Sequence, residues 1–586
     1  MSVTRFSKYL YRLLICWVLS NTTVQATVTP EVYQAPVSTA KTPVLKMSWP
    51  RLAARNQRIE LVKATELPEP STEHLKPLLN TGGKLKAFQV GIQRDLPELP
   101  DWKDWQWQTV SGGQAVRHEF VSAGATGLRV LLQGSTLPAG MEIRFYQPSK
   151  QQVLGLFTPK DFYDSQVSQS GLELWSPFVS GNTIGIEIFL PKDVLPSRLH
   201  LRIPTLSHLD YDLAQAKFKS ATLSSLSSCS LGVACASSDW QETAKAVAQY
   251  LFTDEQGDSF MCTGTLLADE DPSDQVPYMI TASHCINHQN KANSMEFFWF
   301  YRDSSCGAGD ATFIQTSGGA ELLATRTELD SSLLKLKQSP PSGVVLAAWS
   351  LERLKSETRV TALHHTVKRP KVYSSGYFKQ FVKATFSSPL FYESTADPQG
   401  NFAKVQWNEG VTEPGSSGAG LWIKQDGIAY LKGTLLGGAS SCSRPHEPDE
   451  FSRLERFYPD IKPWLASDSP TLHAVNNRQL RPQALLDGIM IARYMRGDRG
   501  TALIQNLSID SLNTDIAELE QSLWEMEAYY DIDGNGVVSA EQDGLLLIRY
   551  LAGLRRKALI EGITGDGATR NTANVVSSYL DSLIDE

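Results

Sequence analysis

Three residues of this 586-residue chain have the types and order needed for nucleophilic acyl transfer. Ser417 lies in "VTEPGSSGAGLW" among glycines at 415, 418 and 420. Glycine admits the positive φ of a tight turn, so the stretch is either a device that presents a nucleophile or an ordinary turn. His284, in "YMITASHCI", ends an apolar run beside Cys285 and could serve as a general base. In isolation it could equally be a structural histidine, or a zinc ligand next to Cys285. Asp330, in "ELDSSLLKLK", opens another apolar run, a place from which a buried carboxylate can orient an imidazole. His364, His365, Asp303 and Asp310 compete for the base and acid roles.

The elements that must hold these residues read as short strands. "SFMCTGTLL", "PYMITAS", "MEFFWFY", "SSLLKLK" and "YLKGTLLGG" are separated by glycine-rich turns without helical periodicity, which favours a barrel or sandwich over a parallel α/β sheet. Residues 27 to about 210 contain no cysteine and alternate apolar and polar positions in "TGLRVLLQGSTLPAGMEIRFYQP" and "GNTIGIEIFLP", as a β-sandwich would. The serine-rich "AQAKFKSATLSSLSSC" then reads as an exposed linker.

Length gives room for three or four domains at about 150 residues each. A net charge of −8 with 20% charged residues gives no basic face to suggest nucleic acid. Arg5, Lys8 and Arg12 precede a short apolar run over residues 13–19 and a small-residue site ending at Ala26, the pattern of a secretory signal. That run is too short to span a bilayer, and no other segment looks transmembrane. Removing the signal removes Cys16 from the seven cysteines, leaving Cys229, Cys235, Cys262, Cys285, Cys306 and Cys442. An even number in one block of an exported chain argues for disulfides rather than metal ligands, although six cysteines allow fifteen pairings.

Beyond residue 466 the texture becomes helical and repeats itself. "LLDGIMIARYMRG" (485–497) matches "EQDGLLLIRYLAG" (541–553), with apolar positions at helical spacing. "YYDIDGNGVVSAEQDG" carries calcium-loop spacing: Asp531, Asp533, Asn535, a glycine at 536, the carbonyl of Val537, and Ser539. The twelfth position is Gln542, with Asp543 one residue later, whereas a plain Asx-rich turn needs none of this spacing. The segment resembles dockerin-like, EF-hand-type repeats, which implies calcium and leaves room for a surface or cohesin-like partner. The first repeat has Val475 and Gln479 at the corresponding ligand positions and should not bind calcium.

Across residues 229 to about 466, "SCSLGVAC", "CTGTLL", "TASHC", "DSSLLKL", "HHTVKR", "VQWNEGVTEPGSSGAGL" and "GGASSCS" occur in the order found in bacterial lysyl endopeptidases. The block resembles that trypsin-like family, whose chymotrypsin fold places its triad in the order His, Asp, Ser. The resemblance implies a double β-barrel in which His284 is the base, Asp330 its orienting acid and Ser417 the nucleophile. The backbone N–H groups of Gly415 and Ser417 would form the oxyanion hole, with no cofactor in the reaction. It also implies the disulfides Cys229–Cys442, Cys235–Cys306 and Cys262–Cys285. Composition alone would read the acidic run in "RPHEPDEFSR" as solvated surface; the resemblance makes Asp449 the anion of the specificity pocket, with Glu447 as its rival. Lysine as the favoured substrate residue, ahead of arginine, comes from the resemblance only. Leu436 stands where the family's prototype has a histidine.

These readings give a multidomain chain: a signal peptide (1–26), a β-rich propeptide (27–219), an all-β chymotrypsin-like protease domain (220–466) and a small α-helical dockerin-like module (467–586). The expected activity is that of a secreted serine endopeptidase acting on proteins or peptides after lysine, with self-processing at Lys219. The other reading is an inactive trypsin-like binding or adhesion protein with a calcium-dependent docking module. Ser416 occupies the position of the trypsin aspartate that captures a new amino terminus. A serine has no charge for that ion pair, so activation should depend on losing the propeptide.

Overall fold

The computed structural model describes residues 28–33, 63–71, 84–150, 152–164, 171–212, 217, 218, 229–271, 275–366, 369–388, 391–466, 482–507 and 516–584. Ala26, Lys219, Val475 and Gln479 lie outside these residues.

In the amino-terminal unit the alternating segments form two sheets over one core. One sheet is ordered Ala64–Leu67, Gly113–Ser122, Thr183–Pro191, Glu142–Gln147, Gln152–Phe157; the other contains Phe88–Asp95, His200–Leu209, Gly127–Thr136 and Leu172–Trp175. Phe120, Phe145 and Ile186 from the first meet Leu128, Val130 and Leu206 from the second, all buried. Period-two alternation produces this geometry, since successive side chains of a strand face opposite sides of its sheet.

The second sheet does not end with the amino-terminal unit. Phe88–Asp95 pairs on one side with His200–Leu209 and on the other with Ser259–Leu267, where Phe88 stands opposite Met261. From there the sheet continues into the cysteine-bearing domain through Val247–Thr253, Tyr278–Thr281, Ser331–Leu336 and Ala320–Arg326. A separate eight-stranded sheet holds the second half of that domain. Its strands Arg369–Ser388, Arg359–Thr366, Gly420–Gln425, Ile428–Gly438, Asp449–Ser452 and Phe402–Glu409 close on themselves, because the last pairs back to the first. Ser417 and His284 thus come from different sheets and meet at their junction. The helix Leu454–Leu465 ends the domain.

The carboxy-terminal repeats form two matching helices, Ile489–Met495 and Leu545–Leu551, each entered through a π-helical turn, Ala484–Gly488 and Ala540–Gly544. The helix Ala573–Leu583 packs back on the cysteine-bearing domain. There Tyr579 lies edge-on to Trp464 at 5.7 Å and Ser578 hydrogen-bonds Glu321. No helix among the described residues is long and apolar enough to cross a membrane.

Candidate active site

His284 follows the strand Tyr278–Thr281, and the Cys262–Cys285 disulfide ties its turn to the neighbouring strand Ser259–Leu267. Its Nδ1 lies 2.9 Å from Asp330 Oδ2 and 3.0 Å from Oδ1, and its Nε2 lies 2.6 Å from Ser417 Oγ. A carboxylate can only accept, so Nδ1 carries the proton and Nε2 is left as acceptor for the serine hydroxyl. Asp330 is buried and also accepts the backbone N–H of His284 at 2.9 Å and the Ser283 hydroxyl at 3.2 Å. It sits at φ 47°, a left-handed conformation that aspartate tolerates better than most residues and that turns its side chain back toward the histidine. Asp303 and Asp310 are not bonded to His284 among the described contacts; Asp310 instead accepts the N–H of Ser304 at 2.9 Å and its hydroxyl at 2.6 Å.

The serine turn is anchored on the strand Ser259–Leu267. Thr263 donates its N–H to the Ser417 carbonyl and its hydroxyl to the Gly415 carbonyl, both at 2.9 Å. Gly415 has φ 97°, beyond the comfortable range of other residues, and its N–H donates to the Lys86 carbonyl. Underneath, Ser416 Oγ lies 2.8 Å from His364 Nδ1, whose Nε2 lies 3.1 Å from Ser374 Oγ. Complete burial pushes the His364 pKa down to about 3, so its imidazole is neutral. His364 therefore supports the loop from inside as a neutral group, and His365 is likewise buried with its pKa well down.

Asp449 is fully buried at the end of a pocket formed with Trp407, Thr412 and Ser440, while Glu447 is exposed in the preceding loop. Its Oδ2 accepts from Trp407 Nε1 at 2.6 Å, Thr412 Oγ1 at 2.7 Å and Ser440 Oγ at 2.6 Å. A side chain fills this pocket: Lys86, from the amino-terminal unit. Its ammonium lies 3.1 Å from Asp449 Oδ1 and donates to the carbonyls of Thr412 at 2.8 Å and Ser440 at 3.0 Å, and to the Thr412 hydroxyl. A buried cation is tolerated only when so compensated. The Lys86 carbonyl accepts the Gly415 N–H at 2.6 Å, and its own N–H points to Ser417 Oγ at 3.0 Å. Of the two N–H groups expected to face a carbonyl oxygen, that of Gly415 is the one bonded among the described contacts. Leu436 is buried with Val382, Tyr392 and Phe402, and Leu85 packs against this cluster, so the substituted position forms an apolar wall.

Reading the sequence misses Lys86, Trp407, Thr412 and Ser440, which come from three separate segments with no motif to join them. It also misses why Gly437 must lack a side chain: a Cβ there would stand 2.2 Å from the Lys84 carbonyl oxygen. The disulfides join Cys229 to Cys442, Cys235 to Cys306 and Cys262 to Cys285.

In the carboxy-terminal repeat, Asp531, Asp533 and Asp543 each bring a carboxylate oxygen within 4.8 Å of the others. The π-helical turn Ala540–Gly544 closes with the Gly544 N–H on the Ser539 carbonyl at 3.1 Å, one residue more per hydrogen-bonded loop than an α-helix, and Asp543 within it faces Asp531 and Asp533. Asp543 is held by the N–H groups of Ile532 at 2.6 Å, Asp533 at 3.1 Å and Ser539 at 2.8 Å. Burial raises its pKa to about 6, with the Asp533 charge adding to the rise. Asn535 Oδ1 accepts the Val537 N–H at 2.8 Å, and the Ser539 hydroxyl donates to Glu541 at 3.2 Å.

Two family models match this chain: lysyl endopeptidase, N-terminal domain, over residues 66–210, and lysyl endopeptidase, C-terminal domain, over residues 223–452. A lysyl endopeptidase of Pseudomonas aeruginosa is 31% identical over 409 residues, covering 67% of this chain and 83% of that protein. Among solved structures, the active form of the Rv3671c protease of M. tuberculosis is 13% identical with a TM-score of 0.27, covering 38% of this chain and 83% of that one. The thermostable serine protease AL20 of an extremophilic microorganism is 15% identical with a TM-score of 0.25, covering 36% and 92%.

Proposed function

Because the chain belongs to the lysyl endopeptidase family, we propose that it is a secreted serine endopeptidase that hydrolyses protein and peptide bonds after lysine. The observation that carries this reading is the buried Asp449 with a lysine ammonium against it at 3.1 Å, in a pocket that opens on a serine hydrogen-bonded to a histidine–aspartate pair. Ser417 Oγ attacks the scissile carbonyl while His284 Nε2 takes its proton. Asp330 holds the imidazole in the tautomer this requires and stabilises the cation that forms. The developing oxyanion is met by the Gly415 N–H, joined in the tetrahedral state by that of Ser417. His284 then protonates the leaving amine, and water releases the acyl-enzyme through the same base. A serine-directed fluorophosphonate tests the nucleophile assignment: it should modify Ser417 alone, and labelling that persists in Ser417→Ala would contradict it.

The carboxy-terminal repeat fits a calcium ion. Asp531, Asp533 and Asp543 supply convergent hard oxygen donors of the kind this cation takes, and backbone N–H groups already orient them. Calcium there would tie the loop to the helix Leu545–Leu551 and so stabilise the repeat that packs on the protease domain. Terbium luminescence in the purified protein, lost in Asp533→Ala, is the expected result.

A further inference from the structure

We propose that the Lys86–Ala87 bond is a self-cleavage site that the amino-terminal domain presents to its own catalytic serine, and that residues 84–88 block the cleft until this bond is cut. The inference rests on the lysine-directed reading above and adds where the first substrate comes from.

Residues 84–88 run through the site as an extended substrate would, paired on both sides of the candidate bond. Upstream, the Lys84 carbonyl accepts the Gly438 N–H at 2.9 Å and Leu85 bridges antiparallel to Gly437. Downstream, Phe88 pairs antiparallel with Met261 of the strand that anchors the serine turn. Between these two sheets lie Lys86, 5% exposed with its ammonium on Asp449, and its carbonyl on the Gly415 N–H. Ser417 Oγ, hydrogen-bonded to His284, stands beside them. Backbone pairing at both flanks, a charge match in the pocket and a carbonyl on an N–H donor are four separate contacts with one register. A shift by one residue would place Leu85 or Ala87 against Asp449.

The chemistry balances with water as the only co-reactant. The Ser417 Oγ to Lys86 carbon bond forms as the proton passes to His284; the Lys86–Ala87 bond breaks as that proton passes to the Ala87 nitrogen. Water then hydrolyses the ester, leaving a carboxylate on Lys86 and a free amine on Ala87. Because Phe88–Asp95 stays paired with both His200–Leu209 and Ser259–Leu267, this cut alone does not release the amino-terminal domain. It clears the pocket, and a second cut in the linker before Cys229 would then free the domain. The cleft holds one lysine at a time, so the Lys86 cut comes first.

The test compares full-length wild type, Ser417→Ala, Lys86→Gln and Ala87→Pro by intact mass and terminal sequencing from the start of folding. A lysyl peptide amide is assayed on the same samples. Wild type should yield a fragment ending at Lys86 and a partner beginning at Ala87, at a first-order rate unchanged over a tenfold dilution. Both termini should be absent from the three variants, each showing a melting transition as cooperative as that of wild type. Wild type that hydrolyses the lysyl amide but never shows an Ala87 terminus overturns this inference and leaves the functional reading standing. A rate proportional to protein concentration overturns the intramolecular step. Failure to hydrolyse the lysyl amide at all, with no Ala87 terminus, overturns both.

Discussion

Replacing Asp449 with asparagine tests the charge proposed to select the substrate. The carboxylate and the lysine ammonium are 3.1 Å apart in a site where Asp449 is fully buried. At an effective dielectric of about 20 their attraction is about 5 kcal/mol. Removing one partner of a buried pair typically costs about 3–5 kcal/mol, since the other charge is left uncompensated. The Thr412 and Ser440 carbonyls remain as acceptors for the ammonium. The amide also turns an N–H₂ toward donors that a carboxylate accepts, such as Trp407 Nε1. About 3–5 kcal/mol corresponds to roughly a 10²- to 10⁴-fold loss of kcat/KM on a lysyl peptide amide. A norleucyl substrate, which has the lysine stem without its charge, should change less than about tenfold. The assay is kcat/KM for the matched lysyl and norleucyl amides with both proteins. Equal loss on the two substrates would show a damaged scaffold, and a lysyl loss below about tenfold would remove Asp449 from the specificity role.

Gly437→Ala places a Cβ 2.2 Å from the position of the Lys84 carbonyl oxygen, so turnover of extended peptides should fall at least about tenfold relative to a single-residue lysyl ester. A uniform loss would count against strand pairing by the substrate. Buried His364 has a folded pKa of about 3, below its unfolded value, so the unfolded chain binds the extra proton between about pH 6.5 and 3. Its stabilising contribution is therefore complete above pH 6.5 and is lost as pH falls, by about 1.4 kcal/mol per unit. Urea unfolding at pH 7 and 5 should show the gap narrowed by about 2 kcal/mol in His364→Gln, whereas unchanged gaps would mean a protonated imidazole. Calcium at a hundredfold excess over its Kd should stabilise the carboxy-terminal repeat by about 2.7 kcal/mol, read as a raised Tm that Asp533→Ala abolishes.

The strands that position the site were legible because short apolar runs between glycine-rich turns, without helical periodicity, leave little choice of element. "SFMCTGTLL", "MEFFWFY" and "SSLLKLK" correspond to Ser259–Leu267, Glu296–Arg302 and Ser331–Leu336. Ser417, His284 and Asp330 each stand beside a local marker (a glycine turn, a cysteine, the mouth of an apolar strand), but each marker alone left another reading open, and their order with the resemblance to the family assigned the roles. The pocket could not be assembled the same way. Trp407, Thr412, Ser440 and Asp449 converge only through sheet closure, and Glu447 differs from Asp449 in burial, a property the local sequence does not carry. Lys86 was hidden more deeply, since nothing in "GGKLKAF" distinguishes a lysine that meets a buried carboxylate 363 residues away from one on the surface. The late carboxylate of the calcium-type loop had a sequence signal, the offset of Asp543, but the π-helical turn that corrects it becomes visible only in three dimensions.

The most direct test of lysine-directed serine catalysis is mass-spectrometric mapping of every bond cut in a peptide mixture presenting lysine, arginine and glutamate equally. Processed wild type is compared with Ser417→Ala at equal concentration. Cleavage should fall after lysine in the wild-type digest and be lost in the variant. Equal cleavage by both proteins, or cuts by wild type without preference for lysine, would contradict it.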